Sequence, residues 1–189
     1  MQDCGTQAVI DTLETPRGKV TIRLARAEDL HAYRQLRLEA LKNHPEAFSS
    51  DYDVNLARPP IESWAEGLNA SLGDESTAMC FAEAGGQLVA MGGAFQEKSP
   101  KTAHNGTIFA IYVKPEWRGL HLGEAVVAAC EEWARLKGIS NLHLAVASVN
   151  TPALQVYLRS GFRVYGVDPR WTFANGTYYD EILMLKELS

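Results

Sequence analysis

Apolar Val20, Ile22 and Leu24 alternate with Thr21 and Arg23, which is the period of a β-strand. Leu30, Tyr33, Leu36, Ala40 and Leu41 then recur at the spacing of one helix face, so this part of the chain reads strand then helix. Before them, residues 1–18 carry a short Ala8-Val9-Ile10 patch among polar and turn-forming residues, which predicts a loose arm or an added edge strand. Residues 43–60 hold Asn43-His44-Pro45, Ser49-Ser50 and Pro59-Pro60, a run that stops helices, and Ile61 to Leu68 leaves room for a short second helix.

Ala78 to Glu83 and Leu88 to Phe95 are strand-like runs separated by Ala84-Gly85-Gly86-Gln87, whose two glycines suit a tight hairpin. Thr107 to Val113 is almost continuously apolar, the pattern of a strand buried on both faces at the centre of a sheet. Leu122, Val126, Val127, Cys130, Trp133 and Ala134 mark one face of a helix that runs to Lys137 and stops at Gly138. A strand from Leu142 to Ala147 follows, then a helix with Thr151 as cap, Pro152 in its first turn and Gly161 at its end. Phe162 to Val167 and Tyr178 to Leu188 read as closing strands. This order of elements predicts an α/β fold with a mixed sheet flanked by helices.

The 189 residues, 46% apolar and 22% charged, suffice for one hydrophobic core and lie outside the compositions of disordered chains. A net charge of −5 excludes a surface devoted to nucleic-acid phosphates, so no nucleic-acid partner is expected. Cys4, Cys80 and Cys130 are odd in number and have no zinc-ligand spacing, so they read as free thiols and no metal is expected. No basic stretch followed by an apolar run opens the sequence, and no apolar segment reaches the ~18 residues of a membrane span; the expected location is the cytoplasm, without a membrane partner. The glycosylation tripeptides at Asn69, Asn105 and Asn175 are then chance matches.

Chemistry concentrates between the apolar strand and the long helix, in Val113-Lys114-Pro115-Glu116-Trp117-Arg118-Gly119-Leu120-His121-Leu122-Gly123-Glu124. A helix start exposes unpaired amides at the positive end of the helix dipole, glycines let backbone close on bulky oxygens, and Arg118 adds a fixed charge. The usual nucleotide-binding glycine patterns are absent, so the anion is of another kind. Arg118 to Gly123 resembles the acyl-CoA loop of the Gcn5-related N-acetyltransferases, Arg/Gln-x-x-Gly-x-Gly/Ala, with His121 standing where the first signature glycine is usual. Asn150 to Phe162 resembles the same family's Asn-x-x-Ala-x-x-x-Tyr-x-x-x-Gly-Phe segment without a gap, and Ile22 to Asp29 is similar to its first strand and helix start.

The resemblance implies a centrally splayed mixed sheet, residues 19–189 as one N-acetyltransferase domain, and acetyl-CoA as co-substrate. It implies that Tyr112, Val113, Arg118, Gly119, Leu120, His121, Leu122, Gly123, Asn150, Ala153 and Tyr157 meet the coenzyme, with the His121 imidazole turned outward or against a phosphate. In similar enzymes the asparagine, here Asn150, contacts the pantetheine arm, and the tyrosine, here Tyr157, protonates the departing thiolate. A phenol suits that role, being a donor at neutral pH with an ordinary pKa of about 10.

The implied reaction is attack by a primary amine of a small molecule or peptide on the thioester, with the Val113 N–H as oxyanion donor. A protonated amine also needs a base, and Glu83, Glu97, His104, Asp180 and Glu181 are the candidates near strand ends, each also readable as ordinary surface charge. His31, His44 and His143 stand alone and receive no role. Trp171 and the Pro45 to Ser50 loop are candidate acceptor walls. A non-catalytic acyl-CoA sensor and a protein N-terminal acetyltransferase stay open as alternatives, and a homodimer through exposed sheet edges is common in similar proteins.

Overall fold

The computed structural model describes residues 9–58, 64, 68 and 76–188. Eight strands form one sheet: β1 Val9–Thr15, β2 Gly18–Leu24, β3 Thr77–Ala84, β4 Gln87–Gln96, β5 Asn105–Val113, β6 Asn141–Ala147, β7 Arg163–Ala174 and β8 Thr177–Glu187. Among the described residues, four helices with both ends defined flank them: α1 Leu30–Asn43, α2 Tyr52–Leu56, α3 Leu122–Leu136 and α4 Thr151–Arg159. The strand order is β1-β2-β3-β4-β5-β6-β8-β7, with every neighbouring pair antiparallel except β5 and β6. None of the described helices is long and apolar enough to cross a membrane.

Each face of the sheet owns part of the core. The larger cluster packs Val126, Val127, Cys130 and Ala134 of α3 on Ile22, Cys80, Ala90, Leu144 and Met184, as the apolar stripe of α3 requires. On the opposite face Leu36 and Ala40 of α1 pack with Phe81, Met91 and Tyr112. At the root of α1, Arg23 is buried and its guanidinium is shared between Asp29, at 2.7 Å, and Glu83. A buried charge needs such pairing, and here it ties β2 and β3 to the start of the helix. That engagement also accounts for Glu83, one of the sequence's candidate bases.

Three expectations are corrected. Inside the proline-rich break, read from sequence as helix-stopping, a short helix forms from Tyr52, because Asp51 caps it by accepting the Val54 N–H at 2.9 Å. The helix expected over 61–68 lies mostly outside the described residues, of which Trp64 and Leu68 are helical and buried. β7 does not stop at Val167 but continues to Ala174, bulging between Asp168 and Thr172 where Arg170 takes a φ of 56°.

The third correction concerns β5, which is only half-buried despite its apolar sequence. β5 and β6 pair only at Asn105, Gly106 and Thr107 with Asn141, Leu142 and His143, after which the two strands part. From Ile108 to Val113 one edge of β5 therefore has no strand beside it. A β-bulge lies in this stretch, between the Met91–Tyr112 and Gly93–Phe109 pairs, with Ala110 at a φ of 57°. Opposite the bulge, a Cβ on Gly92 would sit 2.3 Å from Ile111 Cδ1 and 2.6 Å from Val126 Cγ1. Gly92→Ala is therefore expected to overpack the sheet against α3 and destabilise the protein by about 1–3 kcal/mol, read as a lower urea midpoint at unchanged slope.

Candidate active site

The parting of β5 and β6 opens a cleft of about 510 Å³, walled by the end of β5, the start of α3 and one face of α4. Its backbone chemistry follows from the β4–β5 ladder. Lys114 N–H donates to the Val89 carbonyl at 2.9 Å, so by antiparallel alternation the Val113 N–H and C=O point the other way, into the gap. The Val113 carbonyl there accepts Arg118 Nε at 3.2 Å. The Val113 N–H is a fixed donor on the cleft wall.

The α3 start supplies further donors. Gly119 has a φ of +77° and His121, the residue before the helix, a φ of 59°, so the loop turns sharply and leaves the first helical amides facing the cleft. Left-handed backbone is open to glycine and costly for most other residues, histidine being among those that tolerate it. The His121 side chain is 76% exposed, its Nδ1 3.4 Å from Glu124. Gly123 lets α4 approach closely, since a Cβ there would lie 3.4 Å from Val156.

Arg118, His121, Leu122, Gly123, Asn150, Ala153 and Tyr157 all line this cleft, together with Tyr112, Val113 and Gly119. Leu120 does not; it packs against the larger core cluster. Tyr112 contributes without its hydroxyl, which donates to Glu39 Oε1 at 2.9 Å and is pushed up to about 12 by burial and by that carboxylate. Asn150 caps α4 by accepting the Ala153 N–H at 3.3 Å, which occupies its carbonyl oxygen and leaves its amide group for other partners.

Tyr157 is 6% exposed, edge-on to Phe162 at 6.2 Å. Burial, and to a lesser degree the Cys130 thiol behind it, pushes its phenol well above the ordinary range, so it keeps its proton throughout neutral and mildly alkaline pH. Cys130 and Cys80 are both buried and free, and their side chains meet.

Four titratable lining side chains receive no role of their own from the sequence, although Glu124 and Glu46 lie in segments it singles out. Arg159 of α4 holds Glu124 of α3 at 2.7 and 3.0 Å. Burial would raise the Glu124 carboxyl, but Arg159 and the helix start outweigh it and hold the group below the usual carboxylate range. His44 and Glu46, in the turn after α1, reach the cleft from the other side. His44 Nε2 lies 2.9 Å from Arg118 Nη2 and His44 Nδ1 lies 3.4 Å from Glu46 Oε1. No spacing signals the Arg159–Glu124 and Arg118–His44 pairs, because each joins segments that meet only after folding, whereas His44 and Glu46 share one turn.

None of the five carboxylates and histidines considered as bases lines the cleft. Glu83 is bound to Arg23, His104 precedes β5 at the end remote from Val113, and Asp180 accepts the Arg170 N–H at 2.8 Å. Glu181 is raised by burial and by Asp168 across the strand, and Glu97 acts on His143.

A second hollow of about 450 Å³ adjoins the first. It brings Trp171 and Phe173 of β7 against the Pro45 to Tyr52 segment, the two acceptor walls anticipated from sequence, and Phe48 lines both hollows. The bulge in β7 is what turns Trp171 toward this space. Behind Phe48, the Arg37 guanidinium stacks on its ring at 4.7 Å. Burial lowers the Arg37 pKa, and its Nη1 has no hydrogen-bond partner among the described residues.

The profile of the Acetyltransferase (GNAT) family matches residues 33–162. An L-amino acid N-acetyltransferase of Escherichia coli strain K12 is 25% identical over 172 residues, 89% of this chain and 98% of that protein. A mycothiol acetyltransferase of Acidothermus cellulolyticus is 28% identical over 151 residues, 74% of this chain but 43% of that protein. The chain spans half or less of the curated mycothiol acetyltransferases it matches. Among solved structures, a GNAT acetyltransferase from Streptococcus pneumoniae superposes with a TM-score of 0.79 at 22% identity, covering 90% of this chain and 99% of that one. A phosphinothricin acetyltransferase from Sinorhizobium meliloti, in complex with acetyl-CoA, has a TM-score of 0.77 at 18% identity, covering 89% and 88%.

The departure at His121 has a measurable consequence. His121→Gly is expected to relieve the left-handed strain and stabilise the protein by about 0.5–1 kcal/mol, read as a higher denaturation midpoint. A midpoint lowered by that substitution would show that the imidazole contributes more than the strain removes.

Proposed function

The chain belongs to the acetyltransferase (GNAT) family, and from that premise we propose that it transfers acetyl from acetyl-CoA to the primary amine of a small molecule, with Tyr157 as the acid toward the coenzyme sulfur. The observation that carries this reading is the gap between β5 and β6, with helix amides at one end and the buried Tyr157 on its wall. The amides of the α3 start suit a diphosphate, since each orphan N–H gains an acceptor and the helix dipole favours the negative charge. The exposed edge of β5 suits the amide-bearing pantetheine arm, which can pair with it as a strand would.

Within that arrangement the Val113 N–H is placed to donate to the thioester oxygen as it gains charge. The amine attacks the carbonyl carbon, the C–S bond breaks, and the thiolate takes the Tyr157 proton. A phenol held above its ordinary range is a weak acid, matched to protonating a thiolate whose usual pKa is near 8.5 only when the sulfur is tightly apposed and desolvated.

The second hollow, opening beside Phe48, supports an acceptor of small size with an apolar or aromatic body. Arg37, half-buried behind Phe48 and without a carboxylate beside it among the described residues, adds a positive charge close to this hollow, which favours an acceptor that brings a carboxylate, as an amino acid does. The amino-acid acetyltransferase relative points the same way.

The test incubates the protein with acetyl-CoA and a panel of L-amino acids, their decarboxylated amines and peptides, with products read by mass spectrometry. Acetylated amino acids are expected, with the decarboxylated amines much poorer; binding of acetyl-CoA with no acetylated product would favour a sensor instead. On the best acceptor, Tyr157→Phe is expected to lower kcat by about 100-fold or more while acetyl-CoA affinity stays within twofold. In the wild type, kcat should show no alkaline decline from this group below pH 10, because its proton is lost only above that range.

A further inference from the structure

We propose that His44 is the general base that relieves the acceptor amine of its proton, oriented by Glu46 and held in reserve by Arg118 until the coenzyme is bound. The proposal rests on the acetyl-transfer reading of the cleft. The reaction needs a base because a primary amine is protonated at neutral pH, and the carboxylates and histidine first considered all lie off the cleft. His44 lies on it, in the turn that closes α1, where its N–H donates to the Ala40 carbonyl at 3.0 Å. Its neighbour Pro45 lines the second hollow, and Phe48 lines both, so the imidazole stands where the two spaces meet.

The hydrogen bonds decide which nitrogen is basic. A guanidinium only donates, so the contact from Arg118 Nη2 at 2.9 Å makes His44 Nε2 the acceptor. The ring proton of the neutral form is then on Nδ1, facing Glu46 Oε1 at 3.4 Å. That is the arrangement of a base whose far nitrogen is oriented by a carboxylate. The Tyr112 ring of β5 lies against the imidazole at 6.1 Å, and its hydroxyl is committed to Glu39 of α1.

As the ring stands, its Nε2 lone pair is occupied by the Arg118 guanidinium. An anion at the α3 start competes for the same guanidinium, and a charge-assisted bond to phosphate is stronger than one to a neutral ring. Coenzyme binding would thus turn Arg118 away and free Nε2 only when there is a thioester to attack. The step balances: the ammonium gives one proton to Nε2 and becomes the nucleophile, the new C–N bond forms as the C–S bond breaks, and the imidazolium, held by Glu46, returns its proton to solvent. A second proton of the attacking nitrogen replaces the one that Tyr157 gives to sulfur, and the third stays on the product amide.

The test compares wild type, His44→Gln and Glu46→Gln for acetyl-CoA affinity by calorimetry, kcat against pH, and the His44 ring nitrogens by ¹⁵N NMR with and without CoA. His44→Gln is expected to lower kcat by about 100-fold or more at unchanged acetyl-CoA affinity and to remove the acidic limb of the pH profile. Glu46→Gln should lower kcat at unchanged acetyl-CoA affinity, because Nδ1 loses the carboxylate that orients it. In the wild type, CoA should move the His44 Nε2 resonance as the Arg118 contact is lost. A kcat for His44→Gln within threefold of wild type, or an acidic limb that persists in that variant, would overturn the proposal. So would loss of more than tenfold in acetyl-CoA affinity with kcat intact, which would make His44 a support for Arg118 alone. The transferase reading fails separately, through a wild type that acetylates nothing; the ¹⁵N spectra then still decide the reserve mechanism, since a His44 Nε2 resonance unmoved by CoA contradicts it.

Discussion

The parallel pairing of β5 and β6 is broken off after three residue pairs, and nearly everything of chemical interest follows from that. Parallel strands normally stay paired and buried on both faces, because an unpaired backbone edge in the interior leaves donors and acceptors without partners. Here the bulge at Ala110 bends β5 away, and α3 and α4 keep the strands from closing again by packing on the same face of the sheet. The result is an edge of unpaired amide groups, held rigid by β4 on its other side, in a space the chain itself does not fill.

That origin explains why the cleft has few charged side chains committed to anion binding. The donors that matter are main-chain N–H groups, of Val113 and of the α3 start, and they survive substitution of the side chains that carry them. His121 illustrates the point, since it departs from the usual glycine yet takes the same left-handed backbone and turns its imidazole outward. The side-chain charges present are largely satisfied by one another: Arg159 by Glu124, Arg118 by the Val113 carbonyl and His44. A bound anion would have to redistribute these contacts rather than find bare cations waiting.

The elements were largely legible in the sequence because periodicity reports which face of a helix or strand is buried, as the α3 stripe from Leu122 to Ala134 shows. The Arg118 to Gly123 loop and the Asn150 to Phe162 segment were legible because their spacing is local. β5 misled for an instructive reason: its apolar side chains imply burial on both faces, whereas part of that apolar surface faces the cleft. α2, inside the proline-rich break, follows from an Asp51 cap that those surroundings concealed. The Arg118–His44 and Arg37–Phe48 contacts carried no signal, since residues that meet across the fold have no characteristic spacing along the chain.

The central claim is that the amides at the parted end of β5 and the start of α3 grip the diphosphate and pantetheine of coenzyme A. Amide NMR of the protein titrated with acetyl-CoA addresses it most directly. Large, saturable shifts are expected at Val113 and at the residues from Gly119 to Glu124, and much weaker ones at the α3 start when a pantetheine lacking the diphosphate is used. Unmoved amides in that loop at millimolar acetyl-CoA, or equal shifts with both ligands, would contradict it.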